Sequence, residues 1–167
     1  NMNYFPNQNA VIWFIENCLE NIKKQVPDVR LVIVGKNPSE KIKNFQDGKN
    51  IIVKGYVDSM IDEQCSSVLA IAPMQSGSGM QIKVLEAMAI GLPIVVTSLG
   101  KGDILAVDNE NILIADEAIE FSNKCIELLK SEELKENIGA SAKHFIKNNH
   151  SWGEIKKLYI SIYEGKF

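Results

Sequence analysis

The chain has 167 residues, 46% of them hydrophobic, and its 18 basic and 21 acidic side chains give a formal net charge of -3. This length suits one well-buried core, so we expect a single domain over residues 1–167. The charge offers no basic stripe for nucleic acid or an anionic membrane, and no apolar run approaches the roughly 20 residues of a membrane span. Cys18, Cys65 and Cys125 are widely spaced in apolar surroundings, which predicts reduced core thiols in a cytoplasmic protein rather than disulfides.

The first part of the chain alternates between helical and strand patterns. Asn7 or Asn9 is expected to cap a first helix that ends before Pro27. Further helices are expected after Ser39, from Asp58 as cap to about Ser66, and from about Met80. Short apolar runs predict strands at Leu31 to Val34, Ile51 to Val53, Val68 to Ala72, Ile94 to Thr97 and Ile112 to Ala115.

The pattern after Asp116 is purely helical. Helices are expected at Ala118 to Leu129, Glu132 to about Lys147 and Ser151 to Tyr163, with residues 131–167 as a helical C-terminal extension. Strands that are apolar on both faces and separated by helices indicate an α/β domain with a Rossmann-like, doubly wound parallel sheet. Such sheets bind ligands at the carboxyl ends of their strands, so the loops that follow the strands should share one rim.

Residues 76 to 97 carry the main functional signal on that rim. Gly77 and Gly79 let the backbone come close to a ligand, and the helix from about Met80 directs unpaired N–H groups at the same loop. Such amides, together with the helix dipole, favour a phosphate. Glu86 lies about two turns further on, where it can reach a sugar hydroxyl. A phosphate at one end and hydroxyls at the other predict a nucleotide site.

Other readings of the same pattern are less well supported. A dinucleotide oxidoreductase would place its glycine motif after the first strand, but Gly77 and Gly79 follow the third predicted strand and position 82 is Ile. A non-catalytic, flavodoxin-like ligand- or partner-binding domain would share the fold. His144 and His150 have no cysteine or acid at ligand spacing, so we expect surface residues and no structural metal. The aromatic pairs expected to be core or domain contacts are Trp13 with Phe14 and Trp152 with Tyr159.

An ordered series of segments resembles the C-terminal domain of GT-B glycosyltransferases, in particular the retaining family 4 type (group 1). The segments are Val32 to Pro38, Val53 to Asp58, Ala72 to Pro73, Gly77 to Lys83, Leu85 to Thr97 and Asn111 to Asp116. The resemblance implies retaining transfer of a sugar from a UDP- or GDP-sugar to an acceptor hydroxyl, in polysaccharide or glycolipid synthesis, without a cofactor. It also implies a partner, the enzyme's own N-terminal acceptor domain, which this chain lacks and through which any membrane contact would be made.

The resemblance also assigns roles within the site. Glu86 matches the second acid of the family's Glu-x7-Glu motif and would hold the ribose hydroxyls, while Ser78 stands where the first acid is usual. Lys83 would neutralise the donor diphosphate, so Lys83 and Glu86 are the expected catalytic residues. The remaining residues expected to bind the nucleotide sugar are Gly35, Lys36, Tyr56, Val57, Ser76, Gly77, Gly79, Met80, Ser98 and Gly100. Little or no transfer is expected from the 167-residue chain alone.

Overall fold

The structure of the protein is a computed structural model, and it describes residues 1–150 and 152–163. The helices of this part are α1 (Phe5–Phe14), α2 (Glu20–Gln25), α3 (Glu40–Asn44), α4 (Met60–Cys65), α5 (Ile82–Ile90), α6 (Ser98–Lys101), α7 (Ala118–Lys130), α8 (Glu132–Asn149) and α9 (Trp152–Tyr163). The strands are β1 (Leu31–Val34), β2 (Ile51–Gly55), β3 (Ala70–Ala72), β4 (Ile94–Val96) and β5 (Leu113–Ile114). A π-helical turn, Ile15–Leu19, joins α1 to α2. The predicted alternation of helices and strands is confirmed.

Every strand pair is parallel, as the apolar runs predict. β1 pairs with β2 in one sheet, and β3, β4 and β5 follow one another in a second sheet. Alternate residues of β4 enter different hydrophobic clusters, because Val95 packs with α1 and α7 whereas Ile94 and Val96 pack with α5. Helices therefore cover both faces of the sheet, which confirms the predicted fold class.

The two helical layers form the core on either side. On one face, Phe121 of α7 makes edge-on contacts with Trp13 and Phe14 of α1, at 5.8 and 5.9 Å between ring centroids. On the other face, α8 lies against α5, and a Cβ built on Gly139 would come within 2.2 Å of the Gly91 carbonyl oxygen. Gly139 therefore sets the distance between α8 and the end of α5. Trp13 and Phe14 are core aromatics, as expected.

Two predicted helix caps are wrong, for a local reason in each case. The first helix begins at Phe5, and Asn7 lies inside it rather than at its cap. Pro6 stands in the first turn, where the missing N–H of proline costs nothing and its fixed φ suits the helix. The fourth helix is capped by Ser59 instead of Asp58, because the Ser59 hydroxyl accepts the Asp62 N–H.

Two boundaries near the glycine loop also differ from prediction. The fifth helix begins at Ile82, two residues later than the expected Met80. β4 ends at Val96, and Thr97 instead caps α6, a short helix that apolar periodicity does not reveal. α5 begins late because Gln81 has extended backbone angles, and β4 ends early because the Thr97 hydroxyl accepts the Gly100 N–H and so caps α6.

The C-terminal segment that holds α8 and α9 includes positions that the structure does not describe. Residue Ser151 and the side chain of Trp152 are outside the described part of the chain, while Tyr159 is 59% exposed. Ile138 and Ala142 of α8 are buried in the core clusters. Within the described ranges, no helix is both long and apolar enough to cross a membrane.

The cysteines follow the prediction at two of three positions. Cys18 and Cys125 are buried thiols, and burial raises the pKa of Cys18 to about 11 and that of Cys125 further. Cys65 is exposed, so its expected place in the core is wrong. It ends α4, a helix with no buried residues, and so has no core to join. His144 is exposed, and His150 packs against Phe145 with 5.6 Å between ring centroids.

Candidate functional site

The loops that follow β1 and β2 enclose a groove at the carboxyl ends of these strands. It has a volume of about 400 Å³ and is lined by Asn1, Val34, Gly35, Lys36, Gly55, Tyr56, Val57 and Met60. The Lys36 ammonium lies 4.7 Å from the centre of the Tyr56 ring. Four residues expected to bind the nucleotide sugar, Gly35, Lys36, Tyr56 and Val57, therefore come together here. The exposed aromatic ring and cation form one wall, to which a flat base could stack.

The glycine loop follows β3, at the carboxyl end of the second sheet. Gly77 and Gly79 have φ angles of 112° and 79°, which side chains with a Cβ rarely adopt, so the loop needs glycine at both positions. Ser76 and Gly77 are half-buried, whereas Ser78, Gly79 and Met80 are exposed. The Ser76 hydroxyl oxygen is shielded from solvent and has no hydrogen-bond partner among the described residues. The loop thus presents its backbone and the exposed Ser78 side chain at the rim.

The helix that follows this loop begins with uncapped amides. Gln81 is the N-cap residue of α5, and its side chain makes no cap hydrogen bond. The first amides of a helix have no intrahelical acceptor, and they carry the positive end of the helix dipole. In α5 the first backbone bonds formed are those from Val84 and Leu85 to the Gln81 carbonyl. The amides of Ile82 and Lys83 are therefore suited to an anion near the glycine loop.

Lys83 stands in this first turn and is half-buried. Its ammonium donates to the Asn7 Oδ1 at 2.6 Å and to the Met74 Sδ at 3.2 Å. Neither partner is charged, and no ion pair among the described residues includes Lys83. Burial without an acid lowers the pKa of Lys83 below its ordinary value. Since no described acid pairs with Lys83, its ammonium is free to pair with an anionic ligand, and such a ligand would raise the pKa again.

Glu86 lies three residues beyond Lys83 on the same helix. Its side chain is exposed, and the described residues give it no hydrogen bond or ion pair. Residues three apart on a helix are neighbours on its surface, so the carboxylate stands next to Lys83 along the helix without neutralising it. A carboxylate in this place can accept hydrogen bonds from hydroxyl groups of a ligand.

The first seven residues connect the groove to the glycine loop. Met2 donates its N–H to the Lys36 carbonyl at 2.8 Å, which holds the N-terminal segment at the end of β1. Tyr4 and Pro6 are the side chains nearest to Gly77, at 3.7 to 3.9 Å from a Cβ built there. This segment brings the two groups of predicted residues onto one rim.

The loop after β4 is held by the side chains of Thr97 and Asp116, neither of which was a predicted site residue. The buried Thr97 hydroxyl donates to the Met74 carbonyl at 2.7 Å and accepts the Gly100 N–H at 3.0 Å. Asp116 accepts both the backbone N–H and the hydroxyl of Ser98, at 2.7 and 2.6 Å. Gly100 is buried, and a Cβ built on it would lie only 2.3 Å from the Ala72 carbonyl oxygen. Ser98 and Gly100 thus already have partners within the protein.

Asn7, Thr97 and Asp116 contact predicted site residues or the loops that carry them, although the sequence assigns none of them to the site. Thr97 and Asp116 each follow a strand that ends at the rim, and a polar residue there is a signal that could have found them. Asn7 offers no such signal, because it contacts Lys83 across 76 positions of sequence. The Lys101 ammonium, at the end of α6, donates to the Ile104 carbonyl at 2.7 Å.

No candidate metal centre competes with this rim in the described residues. They contain no group of three or more His, Cys, Asp or Glu side chains that could hold a metal ion. A further cavity of about 320 Å³ lies between α2 and α7, lined by Asn21, Gln25, Asn123, Ile126 and Glu127. It carries no basic side chain, so it does not suit a phosphate.

Comparison with known proteins gives sequence relatives over most of the chain. An uncharacterized 44.6 kDa protein in the cps region of Klebsiella pneumoniae is 28% identical over 173 residues, covering 96% of this chain and 43% of that protein. The phosphatidyl-myo-inositol mannosyltransferase of Mycobacterium leprae is 24% identical over 154 residues, covering 89% of this chain and 41% of the enzyme. The chain therefore spans less than half the length of these relatives.

A solved structure shares the fold. HepE of Anabaena, in complex with UDP and glucose, is similar with a TM-score of 0.73 at 13% identity, over 89% of this chain and 44% of HepE. Residues 1–131 match the family model of glycosyl transferases group 1. This match includes the groove, the glycine loop, Lys83 and Glu86. The fold is also similar to the crystallised C-terminal domain of a glycosyl transferase group 1 family protein of Francisella tularensis, with a TM-score of 0.67 at 16% identity, over 89% of this chain and 78% of that one. From the match to the family model, we conclude that the chain belongs to the group 1 glycosyltransferases.

Proposed function

We propose that this chain binds the nucleoside diphosphate sugar donor of a retaining glycosyltransferase. The observation that carries the proposal is the half-buried Lys83, which has no acidic partner and stands beside a glycine loop and a helix N-terminus. A cation, oriented amides and glycine-permitted backbone together suit a diphosphate. HepE, which shares the fold, forms a complex with UDP and glucose, and this supports a nucleotide as the ligand.

The parts of the donor have different places along the rim in this proposal. The base stacks in the groove beside Tyr56, the diphosphate faces the loop from Ser76 to Met80, and the ribose hydroxyls bond to Glu86. The sugar lies near Ser78, where a hydroxyl stands in place of the family's usual acid. A serine can bond a sugar hydroxyl but cannot stabilise positive charge at the reactive carbon. Other groups must therefore stabilise the positive charge that develops on the sugar.

The contribution of this domain to catalysis is electrostatic. When the glycosidic bond to the diphosphate breaks, negative charge grows on the leaving phosphate oxygens. The loop amides and the Lys83 ammonium are placed to stabilise that charge as it develops. The acceptor hydroxyl that attacks the sugar would be positioned by the remainder of a longer polypeptide, since the chain spans 43% and 41% of the two relatives.

The setting of the reaction is part of the same proposal. The unpaired, buried Cys18 and Cys125 are typical of a reducing compartment, which favours the cytoplasm. The relative encoded in a cps region and the mannosyltransferase relative favour assembly of a polysaccharide or glycolipid. Membrane contact, if the assembly takes place there, would be made by the part of the enzyme outside this chain.

Binding of nucleotides tests the proposal directly. The chain is titrated with UDP, GDP, ADP and their sugars, by calorimetry and by thermal shift. At 100 times its dissociation constant, a ligand should stabilise the fold by about 2.7 kcal/mol. Binding of one nucleoside diphosphate is expected. No binding by any member of the panel would contradict the proposal and would favour a partner-binding domain instead.

The variant Glu86→Gln tests the ribose contact. Glutamine keeps an acceptor oxygen and loses only the charge, so we expect binding of the preferred nucleoside diphosphate to weaken by about 2- to 30-fold, the difference between a hydrogen bond to a charged group and one to a neutral group. The matched control is Glu136→Gln, which removes the same charge from an exposed position on α8. Equal affinities of Glu86→Gln and the control would remove Glu86 from the site.

A further inference from the structure

We infer that Asn7 is a positioning residue of the donor site, which holds the Lys83 ammonium in place without neutralising its charge. The inference rests on the proposed function, because it assigns a partner to the cation that is proposed to face the diphosphate. Nothing in the sequence around Asn7 marks it as functional. It lies in the first turn of α1, where helix capping is its expected role, yet it caps nothing.

The contact geometry supports this role. The Asn7 Oδ1 accepts from the Lys83 Nζ at 2.6 Å, and the Asn7 Nδ2 donates to the Asn1 carbonyl at 2.9 Å. The second bond fixes the amide orientation, because the NH₂ group faces a carbonyl and the oxygen must then face the ammonium. The Asn7 amide is thus held from both sides, and it connects Lys83 to the segment that lines the groove.

The charges around Lys83 explain why position 7 carries an amide rather than an acid. A lysine ammonium has three N–H donors, and the Asn7 oxygen and the Met74 sulfur take two of them. Both acceptors are neutral, so they orient the side chain while its full charge and one donor stay available for a ligand. A carboxylate in the same place would hold Lys83 more strongly, but its negative charge would oppose a diphosphate.

The isosteric variant Asn7→Asp separates charge from geometry. It keeps the shape and the contact with Lys83, adds one negative charge, and loses the hydrogen bond from Nδ2 to the Asn1 carbonyl, which Asn7→Ala loses as well. We expect it to fold, because the new ion pair with Lys83 offsets the lost hydrogen bond. Its affinity for the nucleoside diphosphate that binds best among UDP, GDP and ADP should fall by about 10- to 100-fold. Its affinity for the corresponding nucleoside, which has no phosphate, should not change.

Two further variants serve as controls. Asn7→Ala leaves the charge of Lys83 intact but releases its side chain, so we expect a loss of about 2- to 10-fold for the nucleoside diphosphate, the cost of ordering one long side chain. Asn9→Asp adds the same charge two residues further along α1, on the other side of the helix. It should leave both affinities unchanged.

The outcomes decide between the alternatives. Wild-type affinity of Asn7→Asp for the diphosphate, an equal loss for diphosphate and nucleoside, or an equal loss in Asn9→Asp would overturn the inference. If Asn7→Asp does not fold, Asn7→Ala decides, and wild-type diphosphate affinity in that variant overturns it. Failure of the wild-type chain to bind any of the three nucleoside diphosphates is a different result, which overturns the proposed function itself and this inference with it.

Discussion

Thr97 offers a sharp test of how the site is held together. The variant Thr97→Val keeps the shape of the side chain but removes a buried hydroxyl with two hydrogen bonds. The Met74 carbonyl and the Gly100 N–H would then lack partners, and each buried group left unpaired costs about 1 to 3 kcal/mol. The added buried methyl group returns about 0.8 kcal/mol. We expect a net loss of about 1 to 5 kcal/mol in the free energy of unfolding.

Urea denaturation measures this loss, and Thr97→Ser is the matched control. Serine keeps the hydroxyl and both hydrogen bonds and removes one methyl group, so we expect a loss of only about 1 kcal/mol. In a thermal melt, each kcal/mol corresponds to about 2 to 4 °C for a domain of this size. The reasoning would be refuted if Thr97→Val were as stable as the wild type, or if Thr97→Ser were the less stable of the two variants.

Three further predictions follow from individual contacts. Gly139→Ala should lower the free energy of unfolding by about 1 to 3 kcal/mol, because its Cβ would meet the backbone at Gly91; an unchanged urea midpoint would contradict this. Burial lowers the pKa of Lys83, so the affinity of the wild type for a nucleoside diphosphate should fall as the pH rises through that lowered pKa. The variant Lys83→Met should bind the nucleoside diphosphate weakly at every pH, and calorimetric titrations over a range of pH values will show whether the two proteins differ in this way. The Asp47 carboxylate accepts three backbone N–H bonds, of which the one from Ile51 lowers its pKa most. The wild type should therefore be more stable than Asp47→Asn at pH 7, and this difference should disappear in acid as the carboxylate becomes protonated. Thermal melts of both proteins over a range of pH values measure the difference.

The strands show what apolar patterning predicts well and where it stops. The run from Leu31 to Val34 matches β1 at both ends, because every residue of it pairs with β2. The run from Val68 is longer than β3, which begins at Ala70, and Val68 itself is 56% exposed. A run of apolar residues indicates that a strand is present, but pairing with a neighbour decides where it ends.

The residues of the site also divide into those that the sequence predicts and those that only the structure brings together. The glycine loop, Lys83 and Glu86 are close in sequence, so one local pattern of turn and helix predicts them together. The partners of Lys83 could not be predicted, because Asn7 is 76 positions away and Asn7 looks like a helix cap. The same holds for Ser98, whose amide and hydroxyl bond to Asp116 across 18 positions.

The amino-acid sequence by itself determined the parallel α/β class, the order of its elements and the loop that faces the ligand. These depend on hydrophobic period, glycine positions and helix starts, which act over a few neighbouring residues. Only the tertiary structure decided that Lys83 is held by neutral atoms and has no acidic partner among the described residues. Electrostatics depends on which groups are close in space and how far they are from water, and folding alone brings Asn7 and Met74 to that ammonium.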